Sequence, residues 1–565
     1  EPERRLNTLL PWITHIREIG CNALYIGPLF ESVGHGYETT DYKKLDSRLG
    51  TNEDLAAFVA ECHRQGIRVV LDGVFNHTGR DFFAFQDIKQ HREQSAYKDW
   101  YCNVNFWGNN EYNDGFSYEN WGGYNLLVKL NQHNPAVREY ICDVIRFWVS
   151  EFDIDGIRLD AADVLDFEYM KALRQTANQV KPDFWLMGEV IHGDYNRWVN
   201  EGTLHSVTNY HLHKALYSGH NDHNYFEIAH TVKRLYGMGG NRPDGLKLYN
   251  FVDNHDVERI YTKLNKKAHF VPVHILLYTL PGIPSIYYGS EFGIEGKKEP
   301  FSDDSLRPAL SLSDYADAVK ENPCTRLTAA LGKIRQDTPA LSYGDYQELL
   351  LTNRQYAFSR NHQGTSVIVT VNNDDSDFIM TLPAGGAPSY IGALSGEKAP
   401  VREDGCIAVN IKANSGEIWL PLAKAPDGCT DDCREDLVSA GAVSEECPEE
   451  PALAATETEK EEQAAETPAV QKPAGETPAA EEPVAEKPEE IQNSFVIEDP
   501  ALKAPASKPE DSSYDEAFEK GRITGLQEAI LAIMEKNGPV TDQMHRDVIN
   551  NIYHDSLINW IKSFR

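Results

Sequence analysis

The sequence predicts an α/β fold: a (β/α)8 barrel lacking its first strand in this chain, then an antiparallel β-sandwich, a disordered linker and a small helical tail. Three observations carry this expectation. Strand-like apolar runs alternate with amphipathic helical stretches through about the first 330 residues, the signature of a parallel sheet wrapped by helices. Short alternating strands separated by turns follow, to about residue 422. The composition then shifts to Pro, Ala, Glu and Thr before a helical pattern returns at the end.

In chain order, the candidate barrel strands are 21–30, 67–75, 152–160, 184–190, 206–212, 246–254 and 283–289. Helical stretches lie between them, such as 52–66 and 134–152; Asn134 suits the N-cap of the latter and Pro135 its first turn. Seven strands fall one short of a closed barrel. Residues 3–19 read as a helix with no strand before it, so the first strand is expected to have been lost with a missing N-terminus. Such an opening would leave two parallel strand edges unpaired.

The domains are expected at 1–334, a barrel with an inserted loop domain at about 78–133, and at 335–424, the β-sandwich. A linker is expected at 425–512 and a helical tail at 513–565. The insert holds Trp100, Tyr101, Phe106, Trp107, Tyr112, Phe116, Tyr118, Trp121 and Tyr124 among Asn and Gly. These rings suit either a satellite core or platforms for sugar faces, and both uses are expected. The linker has too little apolar surface to offset the entropy of ordering. The tail carries a helical apolar stripe, through Phe518, Leu526, Ile530 and Ile533 and again through Val548, Ile552 and Ile561. It is expected to pack on itself, with docking to an unknown partner as the weaker reading.

The chain has 565 residues and a formal net charge of −33, concentrated in the linker region. Such an acidic chain is poorly suited to gripping nucleic acid, which needs basic surface. No run approaches the roughly 20 apolar residues of a membrane span. The 9 cysteines are scattered, and those in apolar runs read as buried thiols, slightly favouring a reducing, cytoplasmic setting over a secreted one. Cys429, Cys433 and Cys447 lie among acidic, linker-like residues without a nearby histidine, which argues against a metal clip.

Function is concentrated at the strand ends. In a (β/α) barrel, catalytic groups sit at the C-terminal ends of the strands. Here Asp72, Asn76 and His77 end one strand, and Arg158 and Asp160 the next. Glu189 ends a third, and Asp253, His255 and Asp256 a fourth. One such end could be a structural ion pair; four aimed at one mouth point to chemistry. Carboxylates with histidines allow metal-assisted hydrolysis, for which His211 and His213 are candidate ligands, or glycoside hydrolysis by a pair of carboxyls. The aromatic insert and the β-rich domain favour sugar.

The motifs DGVFNH (72–77), GIRLDAADV (156–164), GEV (188–190) and FVDNHD (251–256) resemble, in order and spacing, the four conserved regions of the α-amylase family of glycoside hydrolases. GYETTDYKKLDSRLGTNEDL (36–55) resembles the segment before the first region, and PGIPSIYYGSEFG (281–293) the eighth strand. VKLN (128–131) is similar to the fifth region of the neopullulanase, cyclomaltodextrinase and maltogenic amylase subgroup, with Leu127-Val128 in place of the usual Met-Pro. The resemblance implies a retaining α-glucan hydrolase acting on starch-derived chains, cyclodextrins or pullulan. A transglycosylase with the same machinery, or an inactive fragment or carbohydrate-binding relative, is the alternative.

Carried over by position, Asp160 would be the nucleophile, Glu189 the general acid/base, and Asp256 the holder of ring hydroxyls. Arg158 would pair with Asp160 and keep it ionised, while Glu189, without a cation beside it in sequence, would be raised by burial. Tyr37 would stack under the sugar, His77 and His255 would donate to it, and Asp72 would support. No cofactor is implied for the chemistry. Asn76 resembles a position that binds structural calcium in many relatives. Two departures stand out: Asp163-Val164 replace a Lys-His pair after the nucleophile, and Ser290 replaces a common acidic residue.

Overall fold

The computed structural model describes residues 3–238, 245–299 and 302–422. The linker, the tail and Cys429, Cys433 and Cys447 lie outside the described residues.

Seven strands run parallel in chain order: β1 (Ala23–Ile26), β2 (Arg68–Gly73), β3 (Gly156–Leu159), β4 (Trp185–Gly188), β5 (Ser206–Val207), β6 (Tyr249–Asn250) and β7 (Ile283–Pro284). A parallel bridge from Thr208 to Tyr249 carries the row from β5 to β6. The central strands read as continuous apolar runs because both faces are covered: every residue of β3 is buried, whereas β1 and β7 at the ends of the row are only half-buried. Neither end strand pairs with a further strand among the described residues. The helical layer nevertheless spans the interval between them. Helix Pro323–Asp337 packs so tightly on the turn before β1 that a Cβ at Gly20 would meet Gly332 Cα at 2.7 Å. Gln336 Nε2 also donates to Gly20 O at 2.8 Å.

Helix Asn52–Arg64 starts at a capping box built by Thr51 and Asp54. Helix Pro135–Phe152 starts at Asn134, whose side chain accepts from Ala136 N, and buries Ile141, Ile145 and Trp148 at helical spacing. Two expected strands are shorter than their apolar runs. Pro28 separates β1 from an antiparallel ribbon, Phe30–Ser32 against Thr39–Leu45. The run 206–212 is a strand only at Ser206–Val207; Asn209 then caps helix Tyr210–Asn221 by accepting from Leu212 N, so His211 and His213 sit on a helix.

The insert buries some of its aromatics in a satellite core and leaves others exposed. Phe85, Tyr101, Phe116 and Tyr118 form a buried cluster beside a half-sandwiched ion pair, Arg80 to Asp114 at 2.8 Å. Tyr124 and Trp107 stand in solvent.

The C-terminal β-sheet domain contributes β8 (Asp345–Leu351), β9 (Gln355–His362), β10 (Thr365–Asn372), β11 (Phe378–Pro383), β12 (Ser389–Gly392), β13 (Lys398–Pro400), β14 (Cys406–Ile411) and β15 (Ser415–Leu422). Six form one sheet in the order β8-β9-β10-β15-β12-β13, and β11 pairs with β14. Alternation sorts the side chains. Tyr356, Phe358, Val367, Val369 and Ile418 join the barrel core, while Ala357, Ile368 and Trp419 join Met380, Leu382 and Val409 in a second core. Helix Phe270–Thr279 lies between barrel and sheet, with every residue but Val271 buried. An all-round apolar sequence is what such a position requires.

Candidate active site

Backbone register assembles the site. Asp72 on β2 lies directly opposite Arg158 on β3, and Leu159 opposite Gly188 on β4. Asp160 and Glu189 each continue their strands by one ladder bond, Asp160 N to Gly73 O at 3.1 Å and Glu189 N to Leu159 O at 2.9 Å. Gly188 is required by close approach, since a Cβ there would meet Ala162 Cβ at 2.7 Å and Leu204 Cδ1 at 2.5 Å.

Arg158 is the hub. Its Nη1 donates to Asp72 Oδ1 at 3.0 Å and to Asp160 Oδ1 at 2.8 Å. Its Nη2 lies 3.0 Å from Glu189 Oε2. Glu189 therefore has a cation beside it, contrary to the expectation from sequence adjacency; β3 and β4 are neighbours in space although Arg158 and Glu189 are 31 residues apart in the chain. Ala161 N, in the left-handed region at φ 47°, also donates to Glu189 Oε2 at 3.1 Å. The residue after Asp160 thus holds the carboxyl of Glu189.

Three carboxyls share one guanidinium, so the cluster carries an acidic excess that holds a proton more readily than isolated acids would. Burial pushes the Asp160 carboxyl up to about 8, opposed by Arg158 and reinforced by Asp72 and Glu189. Asp72, fully enclosed, is raised by burial as well. Arg158 favours ionised Asp160, while burial and the two neighbouring acids oppose it.

A second chain of contacts leads to Asp256. Tyr25 Oη donates to Asp72 Oδ2 at 2.8 Å and Tyr37 Oη to the same oxygen at 3.3 Å. Tyr37 Oη also lies 2.9 Å from His255 Nε2, which is 3.2 Å from Asp256 Oδ2. Asp256 is the outermost acid, with 41% of its side chain exposed, and Arg307 Nη2 stands 3.7 Å from its Oδ1. Burial, with Arg158 and Arg307 near, lowers His255 to about 3, so it is neutral at working pH.

His77 is placed differently from expectation. Its Nε2 faces Tyr37 O at 3.1 Å and its Nδ1 faces Asn76 Nδ2 at 3.2 Å. Both ring nitrogens are engaged, so His77 supports the Tyr37 backbone and would have to release a partner to reach a sugar. Burial lowers it to about 4. Asn76 is fully buried; its Oδ1 accepts from Gln132 Nε2 at 3.1 Å, and no carboxylate stands among its hydrogen-bond partners. One of the two lone pairs of that oxygen is taken up by the protein. Among the described residues no group of three or more His, Cys, Asp or Glu side chains is arranged to hold a metal. His211 meets Arg234 and Tyr195, and His213 Nδ1 meets Val252 O at 2.9 Å, so the two do not converge.

Ser290 finds a role. Its Oγ donates to buried Asp253 Oδ2 at 2.6 Å and accepts from Arg259 Nη1 at 3.1 Å. Tyr25, Tyr210 and Arg307 are site residues that sequence reasoning passed over. Tyr210 lies close enough to feel the charges of Glu189 and Asp256. Tyr25 sits within an apolar strand, and only the β1–β2 pairing reveals that its hydroxyl meets Asp72.

A family model described as alpha amylase, catalytic domain, matches residues 6–339. The chain belongs to the α-amylase family of glycoside hydrolases. It is 33% identical over 421 residues to a maltogenic alpha-amylase of Bacillus acidopullulyticus, covering 73% of this chain and 70% of that one. It is 31% identical over 388 residues to a cyclomaltodextrinase of Thermoanaerobacter pseudethanolicus, covering 67% of this chain and 65% of the relative. This chain thus spans about two thirds of the length of such relatives. Among solved structures, a debranching enzyme from Nostoc punctiforme is similar at TM-score 0.64 and 28% identity, over 73% of this chain and 88% of that one. The family fold is a (β/α)8 barrel with a C-terminal β-sheet domain, in keeping with the parallel row and the six-stranded sheet described above.

Proposed function

We propose that the chain hydrolyses α-1,4-glucosidic bonds of starch-derived chains, cyclodextrins or pullulan, with retention of configuration. The observation that supports this reading is the sharing of one guanidinium by Asp160 and Glu189, which brings the two carboxyls together at the ends of neighbouring strands. An ionised Asp160 attacks the anomeric carbon while Glu189 gives its proton to the glycosidic oxygen, and the leaving sugar departs. Glu189 then takes a proton from water, whose oxygen attacks the same carbon and frees Asp160. The cycle needs one proton in the cluster, placed on Glu189 when substrate binds. Positive charge developing on the sugar favours ionised Asp160.

In this reading Asp256, reached through Tyr37 and His255 and the most exposed of the acids, accepts from ring hydroxyls. The similarity to a cyclomaltodextrinase and to a neopullulanase of Thermoactinomyces vulgaris, the latter 30% identical over 404 residues, supports α-glucans of this kind as substrates. Product analysis on soluble starch, pullulan and cyclodextrin, with the anomeric form of fresh product read by NMR and Glu189→Gln as control, tests the reading. An α-anomer lost in the control is expected. A β-anomer, or equal activity in the control, refutes the assignment, and longer products than substrate would point to glycosyl transfer.

A further inference from the structure

We infer that Arg259 is a positioning residue: it fixes the turn that carries Arg307 and, through Arg307, orients the carboxylate of Asp256. This rests on the proposed function, in which Asp256 accepts from ring hydroxyls. Arg259 lies three residues after Asp256 and is fully buried. A buried guanidinium is costly unless its donors are used. Its Nη1 donates to Tyr288 O and, at 3.1 Å, to Ser290 Oγ, and its Nη2 donates to Leu306 O at 3.0 Å. Negative charge reaches it through Ser290, whose Oγ donates to Asp253 Oδ2 at 2.6 Å. The guanidinium also lies 4.2 Å from the ring centre of Tyr287 and 5.1 Å from that of Tyr288. One rigid fork thus ties the segment after β7 to Leu306.

Leu306 is held from a second direction, since Tyr287 Oη donates to the same carbonyl at 3.1 Å. Its side chain is buried, and Arg307 N donates to Asp304 O at 3.1 Å. The backbone around Arg259 has no slack: a Cβ at Gly296 would meet Arg259 Cγ at 2.8 Å and Ser305 O at 2.7 Å. Arg307, the next residue after Leu306, reaches the site. Its Nε lies 2.6 Å from Asp303 Oδ2 and its Nη2 3.7 Å from Asp256 Oδ1. The other oxygen of Asp256, Oδ2, faces His255 Nε2 at 3.2 Å. Two contacts, one on each oxygen, therefore set the plane of this partly exposed carboxylate. If Leu306 shifts, Arg307 shifts with it, and one of the two contacts is lost.

A double-mutant cycle in the full chain tests this, with cyclodextrin hydrolysis and urea melts as readouts. Lysine keeps the charge of Arg259 but cannot span two carbonyls. Arg259→Lys is expected to lower kcat about 10- to 100-fold, as a misplaced binding group does. Tyr287→Phe, which removes the second donor to Leu306 O, is expected to lower it about 5-fold, the size of one hydrogen bond. In an Arg307→Ala background both changes are expected to leave kcat as it is, while the drop in urea midpoint from Arg259→Lys persists. A purely structural role for Arg259 would lower kcat by the same factor in both backgrounds. That result, or wild-type kcat in Arg259→Lys, overturns the inference and leaves the proposed function standing. Should Arg259→Lys fail to fold, Tyr287→Phe decides by the same comparison. A wild type that hydrolyses no α-glucan removes the proposed function and this inference together.

Discussion

Arg158 Nη2 lies 3.0 Å from Glu189 Oε2 while Nη1 of the same side chain lies 2.8 Å from Asp160 Oδ1. One planar group sets the mutual placement of the two acids. Lysine offers a point charge and no fork. Arg158→Lys is expected to fold and to lose about 10²-fold or more in kcat, with a smaller change in KM. Arg158→Met, which strands three buried acids, is expected to destabilise by about 3–5 kcal/mol. Steady-state kinetics and urea melts separate the two effects.

The crowding of acids predicts that activity and stability trade against each other. Burial and the neighbouring acids hold Asp160 protonated where an unfolded carboxyl would ionise, so Asp160→Asn, neutral in both states, is expected to raise stability by about 0.5–2 kcal/mol. The same change is expected to abolish turnover. Thermal unfolding at pH 7 reads the first effect, and an unchanged or lower Tm would contradict it.

Gly188 predicts a cost without a change in polarity. A methyl group there meets Ala162 Cβ and Leu204 Cδ1 inside van der Waals contact. Gly188→Ala is expected to destabilise by about 1–3 kcal/mol. Because Glu189 is the next residue, kcat is expected to fall as well, and a full-rate variant would show that the strand end yields without moving the acid.

Buried neutral histidines set an acid limit. Burial lowers His220 to about 3 and His213 and His274 to about 4, while an unfolded histidine titrates near 6.5. The unfolded chain binds more protons than the folded one between these values. The stability these residues contribute is therefore complete above about pH 6.5 and is lost as pH falls toward 4. Each adds a slope of about 1.4 kcal/mol per pH unit inside that window. Urea midpoints from pH 7 to pH 4 check this, and His220→Asn is expected to flatten the slope by about one proton.

Much of the site was legible because chemistry is spelled locally. Arg158 and Asp160 are two apart on one strand, and the ends of β2, β3 and β4 each declare an acid. What stayed hidden depends on pairing between strands distant in the chain. The contact of Arg158 with Glu189, and that of Tyr25 with Asp72, follow from register and not from spacing. The residues 206–212 misled as a strand because Val207, Thr208 and Tyr210 favour strands while so short a stretch does not separate strand from helix, and the Asn209 cap decided for helix. Burial also changed the electrostatics: sequence shows a cation next to Asp160 but not that three acids would compete for it.

Helix Phe270–Thr279 has no side fit for water: barrel side chains cover one flank, and β10 and β15 cover the other, with Arg360 Nη1 gripping Thr279 O at 2.5 Å. Cutting the chain at residue 344 would uncover a greasy rod that belongs equally to both halves. Barrel and sheet are accordingly expected to melt together in one calorimetric peak, and the barrel expressed by itself to precipitate.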